Sequence, residues 1–393
     1  MNKKEVVIVG AARTPIGDFG GVFRDVSPGN LAKIVVEEAL GRATVRKDQV
    51  DEVILGNCLQ PTDEPNMGRH VAQLCGMPDQ TTGMTIQRQC SSAMQAIVCG
   101  YQEIIFGDVE IVVAGGVESM STAPYLLKNA RWGKRLQHGE MTDALWEMLM
   151  DPVHKIMMGV TAENLAEKYD ISREEQDEIA YRSHKNALDA IDEGRFRDEI
   201  VPVTVQKRKM EMVVDTDEHP RRDISLESLA SLRPAFRKEG TVTAGNASGL
   251  NDGAAAVVLM SADKAREAGI EPLGRIVSYA WAGVEPELMG YGPVPATRKA
   301  LERAGMGLEE MELIELNEAF AAQYLACEKL LGLNRDIVNV NGSGVGLGHP
   351  VGCTGARIVI TLIYEMVRRG LKMGLASLCV GGGMGMSIII ERN

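Results

Sequence analysis

The sequence predicts an α/β protein in which one folding unit is used twice, with a loop domain inserted between the copies. Three observations carry this prediction. Strand-like and helix-like runs alternate towards both ends of the 393-residue chain, which argues for α/β layering with largely parallel strands. The order of those runs then repeats. Between the repeats the chain changes character and becomes rich in charge and methionine. The resulting boundaries are residues 1–120 plus 245–270 for the first unit, 121–244 for the inserted loop domain and 271–393 for the second unit.

The first unit opens with the β-branched run Val6 to Val9, read as a strand. A helix around Leu31 to Leu40 follows, then "VILGNC", a helix, "TIQRQC", a helix from Ser91, and "IVVAGG". In the helix from Ser91, Met94, Ile97, Val98, Tyr101 and Ile105 recur at helical spacing. The second unit runs from a strand at Arg275 to Tyr279 through a helix around Ala296 to Ala304, "LIELNEAF", a helix, "IVNVNG", a helix from Thr354, and "LASLCVGGG". Cys90 and His349 thus occupy the same place in each unit, between the third strand and the third helix. Gly115-Gly116 and Gly381-Gly382 correspond at the end of the fourth strand. Reactive residues at strand C-termini are where open α/β sheets build their sites. Within the insertion, Ser172 and Glu175 form a capping box ahead of a helix that carries Ile179, Ala180, Ala187, Leu188 and Ile191 on one face. Strand character returns at Ala254 to Met260 and completes the first sheet.

Composition narrows the function. With 45% hydrophobic residues and a net charge of −12, the chain suits neither general nucleic-acid binding nor a membrane surface, although a local basic pocket for a phosphorylated ligand is compatible. No stretch is apolar enough to span a bilayer, and Met1-Asn2-Lys3-Lys4 leads into the first strand without a signal-peptide core. The expectation is a cytoplasmic protein. Seven scattered cysteines without a C-x-x-C predict neither a disulfide framework nor a zinc site, and no metal is expected. Lys207, Arg208 and Lys209 read as a solvated face.

The stretch "NVNGSGVGLGHPVGCTGA", Asn339 to Ala356, imitates a dinucleotide loop. It fits neither G-x-G-x-x-G, which would need glycine at Leu347 or His349, nor the phosphate loop, which would need a lysine in register. What it presents is His349. An imidazole behind glycines and before a proline packs a core poorly and takes a thiol proton near neutral pH. Cys90 precedes a helix whose free N–H groups and dipole favour thiolate and a lowered pKa; an inert buried cysteine is the other reading. Cys379 precedes "VGGGMG", whose glycines expose backbone N–H groups, or else merely ends a strand. Asn317 opens "NEAF" and reads as a helix N-cap. Cys58, Cys75, Cys99, Cys327 and Cys353 read as structural.

"QCSSAMQAI", "NEAFAAQ", "GHPVGCTGA" and "CVGGGMGMS", in that order and in duplicated halves, resemble the thiolases, acyl-CoA C-acyltransferases. The resemblance spans essentially the whole chain, including "VGAARTPIG", "SLASLRPAF" and "TVTAGNASGLNDGA". It implies a five-layer α/β/α/β/α architecture and reversible Claisen condensation of two acetyl-CoA to acetoacetyl-CoA plus coenzyme A, with thiolysis of 3-ketoacyl-CoA as the reverse. A broader-chain degradative 3-ketoacyl-CoA thiolase of fatty acid β-oxidation is the alternative. In the implied roles Cys90 carries the acyl thioester, His349 activates it and donates to an oxyanion, Cys379 is the general acid and base, Asn317 positions an oxyanion-hole water, and Gly381 offers a backbone N–H. Coenzyme A would lie along Arg221, Ser228, Leu232, Ala235 and Ser248, with Leu149, Met158 and Met289 at the acyl end. No cofactor is held permanently; coenzyme A and acetyl-CoA are substrates. The family's habit implies a homotetramer built as a dimer of dimers.

Two positions depart from the commoner short-chain pattern. Ser91-Ser92-Ala93 replaces Gly-Ser-Gly, and Met157 stands where a histidine often precedes Met-Gly; both bear on acyl chain length. Ketosynthases and hydroxymethylglutaryl-CoA synthases share the fold, but lack a second cysteine before "GGG". A silent acyl-CoA carrier would not need the whole reactive set. Cys90 and Cys379 sharing a pocket also suggests a regulatory disulfide, provided their Cα atoms approach within about 7 Å.

Overall fold

The computed structural model describes residues 4–207 and 210–392. Met1 to Lys3, and Arg208 and Lys209 of the basic run, lie outside the described residues; Lys207 is exposed. Nine strands carry the architecture. The first half contributes β1 (Val6–Arg13), β2 (Glu52–Gly56), β3 (Thr82–Ile86), β4 (Ile111–Ser119) and β5 (Asn251–Ser261). The second contributes β6 (Gly274–Gly283), β7 (Leu313–Leu316), β8 (Met373–Val380) and β9 (Met384–Glu391).

These strands form one sheet in the order β7-β8-β9-β6-β1-β5-β4-β2-β3. The halves meet where β1 pairs with β6 through Val7–Arg275 and Ile8–Gly274. Read outward from that seam, the first half runs first, last, next-to-last, second strand, and the second half repeats that order with its four strands. The duplication in the sequence is therefore a duplication of topology.

Two sequence expectations need correction. Only β2–β3, β2–β4 and β7–β8 pair in parallel; the remaining pairs of this path are antiparallel. The reason is that the last strand of each half folds back on the fourth. In the second half Gly381–Gly383 joins β8 to β9 as a hairpin, a connection that only antiparallel strands allow. In the first half the equivalent turn, between β4 and β5, has been opened to admit residues 120–250. The other correction concerns "IVNVNG", predicted as a strand, which makes only a bridge from Val338 to Ile314. Asn339 adopts a left-handed φ of 50°, which a strand cannot continue. Its side chain substitutes for the ladder: Oδ1 accepts the Leu316 N–H and Nδ2 donates to the Leu316 carbonyl, both at 2.8 Å.

Eight helices of eight or more residues complete the layers: α1 (Pro28–Arg42), α2 (Met67–Leu74), α3 (Ser92–Phe106), α4 (Met158–Lys168), α5 (Arg173–Asp192), α6 (Pro293–Ala304), α7 (Ala321–Leu331) and α8 (Val351–Arg369). Helices α3 and α8 share one core with both half-sheets, joining Met94, Ile97 and Val98 to Ile358 and Leu362, and to Ile54, Val112, Leu378 and Ile388. Helix α8 is buried at every position from Val351 to Ile363, as a central helix must be. Helices α1 and α2 cover the outside of the first half through Leu31, Val35 and Val71. Helices α4, α6 and α7 cover the second through Leu165, Ala300 and Leu325. The outcome is the α/β/α/β/α layering. Helix α5 begins with the predicted Ser172–Glu175 capping box and buries Ile179, Ala180, Ala187 and Leu188, with Ile191 half-buried. Among the described residues, no helix is long and apolar enough to cross a membrane.

Candidate active site

The two central helices bring the candidate residues together. Gln89, immediately before Cys90, has a φ of 45°, a region that costs a non-glycine residue free energy and marks a turn held by its surroundings. Two serines hold it. Ser92 Oγ accepts the Arg88 N–H at 2.8 Å and donates to the Gln89 carbonyl at 2.6 Å, while Ser91 Oγ donates to the Arg88 carbonyl at 3.0 Å. The turn lifts Cys90 to the mouth of α3.

His349 is delivered from the other half. The glycine run ahead of it packs against α5: a Cβ on Gly346 would lie 2.5 Å from the Ser183 carbonyl oxygen. Its backbone donors are used internally, with Ser343 and Gly346 N–H groups donating to Ser183 Oγ at 3.1 and 3.0 Å. Gly348, at φ 98°, passes Asn251 so closely that a Cβ would lie 2.6 Å from its Cγ. Asn251 Oδ1 then accepts the His349 N–H at 2.8 Å. These glycines hold no phosphate; they let the loop thread between α5 and β5 and aim one imidazole.

The tautomer of that imidazole follows from Thr354. Its hydroxyl donates to the Pro350 carbonyl at 2.9 Å, so its oxygen must accept from His349 Nδ1–H, 2.6 Å away. A hydroxyl has one proton to give. Nε2 therefore bears the lone pair, and it is buried without a partner. Burial, reinforced by the Arg357 charge, pulls the His349 pKa down to about 3. The unfolded chain's imidazole takes its proton near pH 6.5, so this residue withdraws stability as pH falls from there towards 3. In ¹⁵N NMR spectra His349 is expected to remain a neutral Nδ1–H tautomer from pH 8 to about pH 5. An imidazolium signal at pH 6 would refute the assignment.

Cys90 departs from its sequence expectation. The helix N-terminus was expected to lower its pKa; burial outweighs that and pushes the thiol up to about 11, although the N–H groups of Gly381 and of Cys90 itself pull the other way. Those two donors converge on the sulfur. Cys379 is fully buried at the end of β8; burial raises its pKa well above the usual thiol range, and proximity to Cys90 adds to the effect. With these shifts both sulfurs are thiols and the imidazole is neutral near pH 7.

Cys90, His349 and Gly381 line one cavity of about 650 Å³, together with Leu149, Met158, Met289 and Ser248. Asn317 does not line it, although Ala319 and Phe320 of the same stretch do. Helix α7 starts at Ala321 with Phe320 at its N-cap, so Asn317 does not cap it; instead both polar atoms of its buried amide lack protein partners, the state of a group that satisfies itself with water. Arg221, Ser228, Leu232 and Ala235 do not line the cavity and are exposed. Leu232 lies 2.5 Å from where a Gly245 Cβ would be, and the Arg221 N–H donates to His184 Nδ1 at 3.2 Å.

Three further residues shape the site. Buried Glu118 accepts from Asn57 Nδ2 and from the N–H groups of Cys58, Leu59 and Gly352 at 2.8–3.1 Å. It thereby ties the loop after β2 to the first turn of α8. Burial raises its pKa to about 7 against the pull of those donors. Cys58, read as structural, sits beside the Gln89 turn, its Sγ 3.2 Å from the Gln89 carbonyl and 3.4 Å from Ser92 Oγ. Thr354 is the third. Only Thr354 had a local signal, one turn into the helix that follows His349; the partners of the other two are distant in sequence.

Comparison with known proteins agrees with this geometry. The thiolase N-terminal domain family matches residues 6–263 and the thiolase C-terminal domain family matches residues 270–392. Acetyl-CoA acetyltransferase of Syntrophomonas wolfei is 50% identical, with 99% of each chain covered. Beta-ketothiolase BktB of Cupriavidus necator is likewise 50% identical with 99% of each covered. Among solved structures, the Bacillus anthracis acetyl-CoA acetyltransferase superposes with a TM-score of 0.98 at 61% identity over 99% of each chain. Human mitochondrial 3-ketoacyl-CoA thiolase gives 0.98 at 44% over 100% of each. With both halves matched along nearly their full length, this chain belongs to the thiolase family.

Proposed function

We propose that the protein catalyses the reversible condensation of two acetyl-CoA to acetoacetyl-CoA and coenzyme A, and the thiolysis of 3-ketoacyl-CoA in reverse. The observation that carries this reading is the convergence of a thiol, an unpartnered neutral imidazole and a backbone donor on one cavity, with a second thiol next to the first. The resting protonation states suggest the proton path. His349 Nε2 takes the Cys90 proton as the sulfur attacks the thioester carbonyl. The Cys90 and Gly381 N–H groups receive the developing oxyanion. Cys379 gives its proton to the departing coenzyme A thiolate, leaving acetyl-Cys90, a Cys379 thiolate and a His349 imidazolium.

That ion pair is what the second half-reaction needs. The Cys379 thiolate removes a methyl proton from the second acetyl-CoA. The enolate oxygen is met by imidazolium Nε2–H and by a water on the free Asn317 amide. The new carbon–carbon bond forms as Cys90 leaves, and Cys90 recovers its proton from His349. Every group returns to its starting state.

Arg221, Ser228, Leu232, Ala235 and Ser248 are assigned to coenzyme A in this reading, and Leu149, Met158 and Met289 to the acyl group. No permanently bound cofactor is required. We assign the protein to the cytoplasm, a compartment that suits seven free thiols. A homotetramer is supported by the exposed apolar side chains Tyr125, Leu127, Trp132, Leu136 and Met141 on and between two short paired strands, Tyr125–Leu127 and Met141–Asp143; sedimentation as a monomer would refute it. The activity is tested by mixing the protein with acetoacetyl-CoA and following the enolate absorbance. Loss that requires added coenzyme A is expected; loss without it, or none with it, would exclude thiolysis.

A further inference from the structure

Two arginines are fully buried among the described residues, and they are held differently. Arg13 commits its donors to the fold: they reach Glu199 at 2.6 Å, the two Asp217 oxygens at 2.7 and 3.0 Å, and the Thr14 carbonyl at 3.1 Å. Such a guanidinium is architecture. Arg357, on α8, has no protein partner for Nε, Nη1 or Nη2. Its one ion-pair neighbour among the described residues, Glu315, is 3.6 Å away, and both oxygens of that carboxylate are likewise unpartnered. That distance is not a hydrogen bond. A buried pair stabilises a fold only where hydrogen bonds complete its geometry, so stability does not account for this one.

Its position gives another reason. Arg357 follows Thr354, whose hydroxyl fixes the His349 ring, by three residues on α8, and residues so spaced share a helix face. On β7, Leu313 packs in the core of α3 and α8 while Ile314 and Leu316 pack in the core of α7. The alternation puts Glu315 on the α8 side and Asn317 next along it. Asn317 N–H still donates to the Ser377 carbonyl at 2.9 Å, which carries the ladder that far. The other buried acids are committed: Glu199 to Arg13 and to the Thr361 hydroxyl at 3.2 Å, Glu118 to Asn57 and the N–H groups of Cys58, Leu59 and Gly352. Arg357 is the charge that adds to burial in disfavouring a protonated His349.

We propose that Arg357, balanced by Glu315, is a positioning residue that acts through His349, its unspent charge keeping the proton taken from Cys90 loosely held. The role rests on the thiolase cycle proposed above, in which His349 accepts that proton and gives it back within one turnover. A base that held the proton tightly would speed the first transfer and slow the return. A loosely held proton makes Nε2–H the stronger donor to the enolate oxygen and releases it readily when Cys90 leaves.

The test is a pair of charge changes of opposite sign, Arg357→Met and Glu315→Gln, read by iodoacetamide alkylation of Cys90 at pH 7, by ¹⁵N NMR of His349 and by kcat for acetyl-CoA condensation. Arg357→Met is expected to raise the alkylation rate about tenfold, to bring an imidazolium signal into view at pH 6, and to lower kcat about tenfold with KM unchanged. Glu315→Gln is expected to slow alkylation and to leave His349 neutral. Arg357→Lys keeps the charge and should follow the wild type in all three measurements. Changes in the same direction for Arg357→Met and Glu315→Gln mark a packing role and overturn the proposal; so does an Arg357→Met protein with wild-type alkylation and a neutral His349 at pH 6. If Arg357→Met does not fold, Arg357→Met/Glu315→Gln leaves no unpaired buried charge and takes its place, with the same expected direction and the same overturning result. Alkylation and NMR need no substrate, so a wild-type protein that fails to thiolyse acetoacetyl-CoA removes the thiolase reading without touching these two outcomes.

Discussion

Cys379→Ala is expected to stop condensation and thiolysis while leaving Cys90 open to acylation. The argument is one of proton supply. Carbon–carbon bond formation requires a base beside the methyl group of the second thioester, and a positioned acid–base group contributes on the order of 10²–10⁴-fold. Cys379 is the buried thiol next to Cys90. His349, already committed to the Cys90 proton, leaves no second acceptor of matching position. Acetyl transfer to Cys90 loses only the Cys379 proton for the departing coenzyme A, which as a thiolate leaves without one; with His349 and the two backbone donors intact, the variant incubated with acetyl-CoA should still gain one acetyl group, more slowly, by intact-protein mass spectrometry. The removed sulfur leaves a small hole in a packed interior, and a cost of about 1 kcal/mol would not unfold the chain. Condensation at near-normal rate in this variant would show the base assignment to be wrong.

Cys90→Ala should have the larger effect, a loss of roughly 10⁴-fold or more in kcat for both directions, because without the sulfur no covalent intermediate exists. Substrate binding should persist. The cavity wall is made by side chains from both halves and from the 149–158 segment, and the Gln89 turn is held by Ser91 and Ser92 rather than by the thiol. Acetoacetyl-CoA should therefore bind the variant with an affinity near that of the wild type, measured by calorimetry. An acetylated site in the Cys90→Ala protein would place the nucleophile elsewhere, and Cys58, beside the same turn, would be the first residue to map.

Much of the architecture was legible because local chemistry specified it. The β-branched runs became strands, the Ser172–Glu175 box became the start of α5, and the repeated order of elements became the repeated strand order of the half-sheets. The candidate site residues were legible through their local settings: a cysteine ahead of a helix, a histidine behind glycines, a cysteine before a glycine turn. Failures came where a distant partner overruled the local signal. "IVNVNG" has strand composition, yet the Asn339 side chain takes over the ladder to Leu316. Asn317 has the composition of a helix cap, yet its buried amide is left without a protein partner.

Residue order alone determined the two-fold α/β plan and singled out the candidate side chains, because periodicity, turn chemistry and side-chain type act over a few neighbouring residues. The protonation states were decided only in three dimensions. A helix N-terminus favours thiolate, but the interior formed by the first half and its counterpart disfavours charge more strongly, leaving Cys90 near 11 and His349 near 3. Glu118 bridging Gly352 and the loop after β2, and Asn251 receiving the His349 N–H, join residues between 59 and 234 positions apart. Desolvation and long-range hydrogen bonds depend on which segments meet, and that is a property of the packed chain.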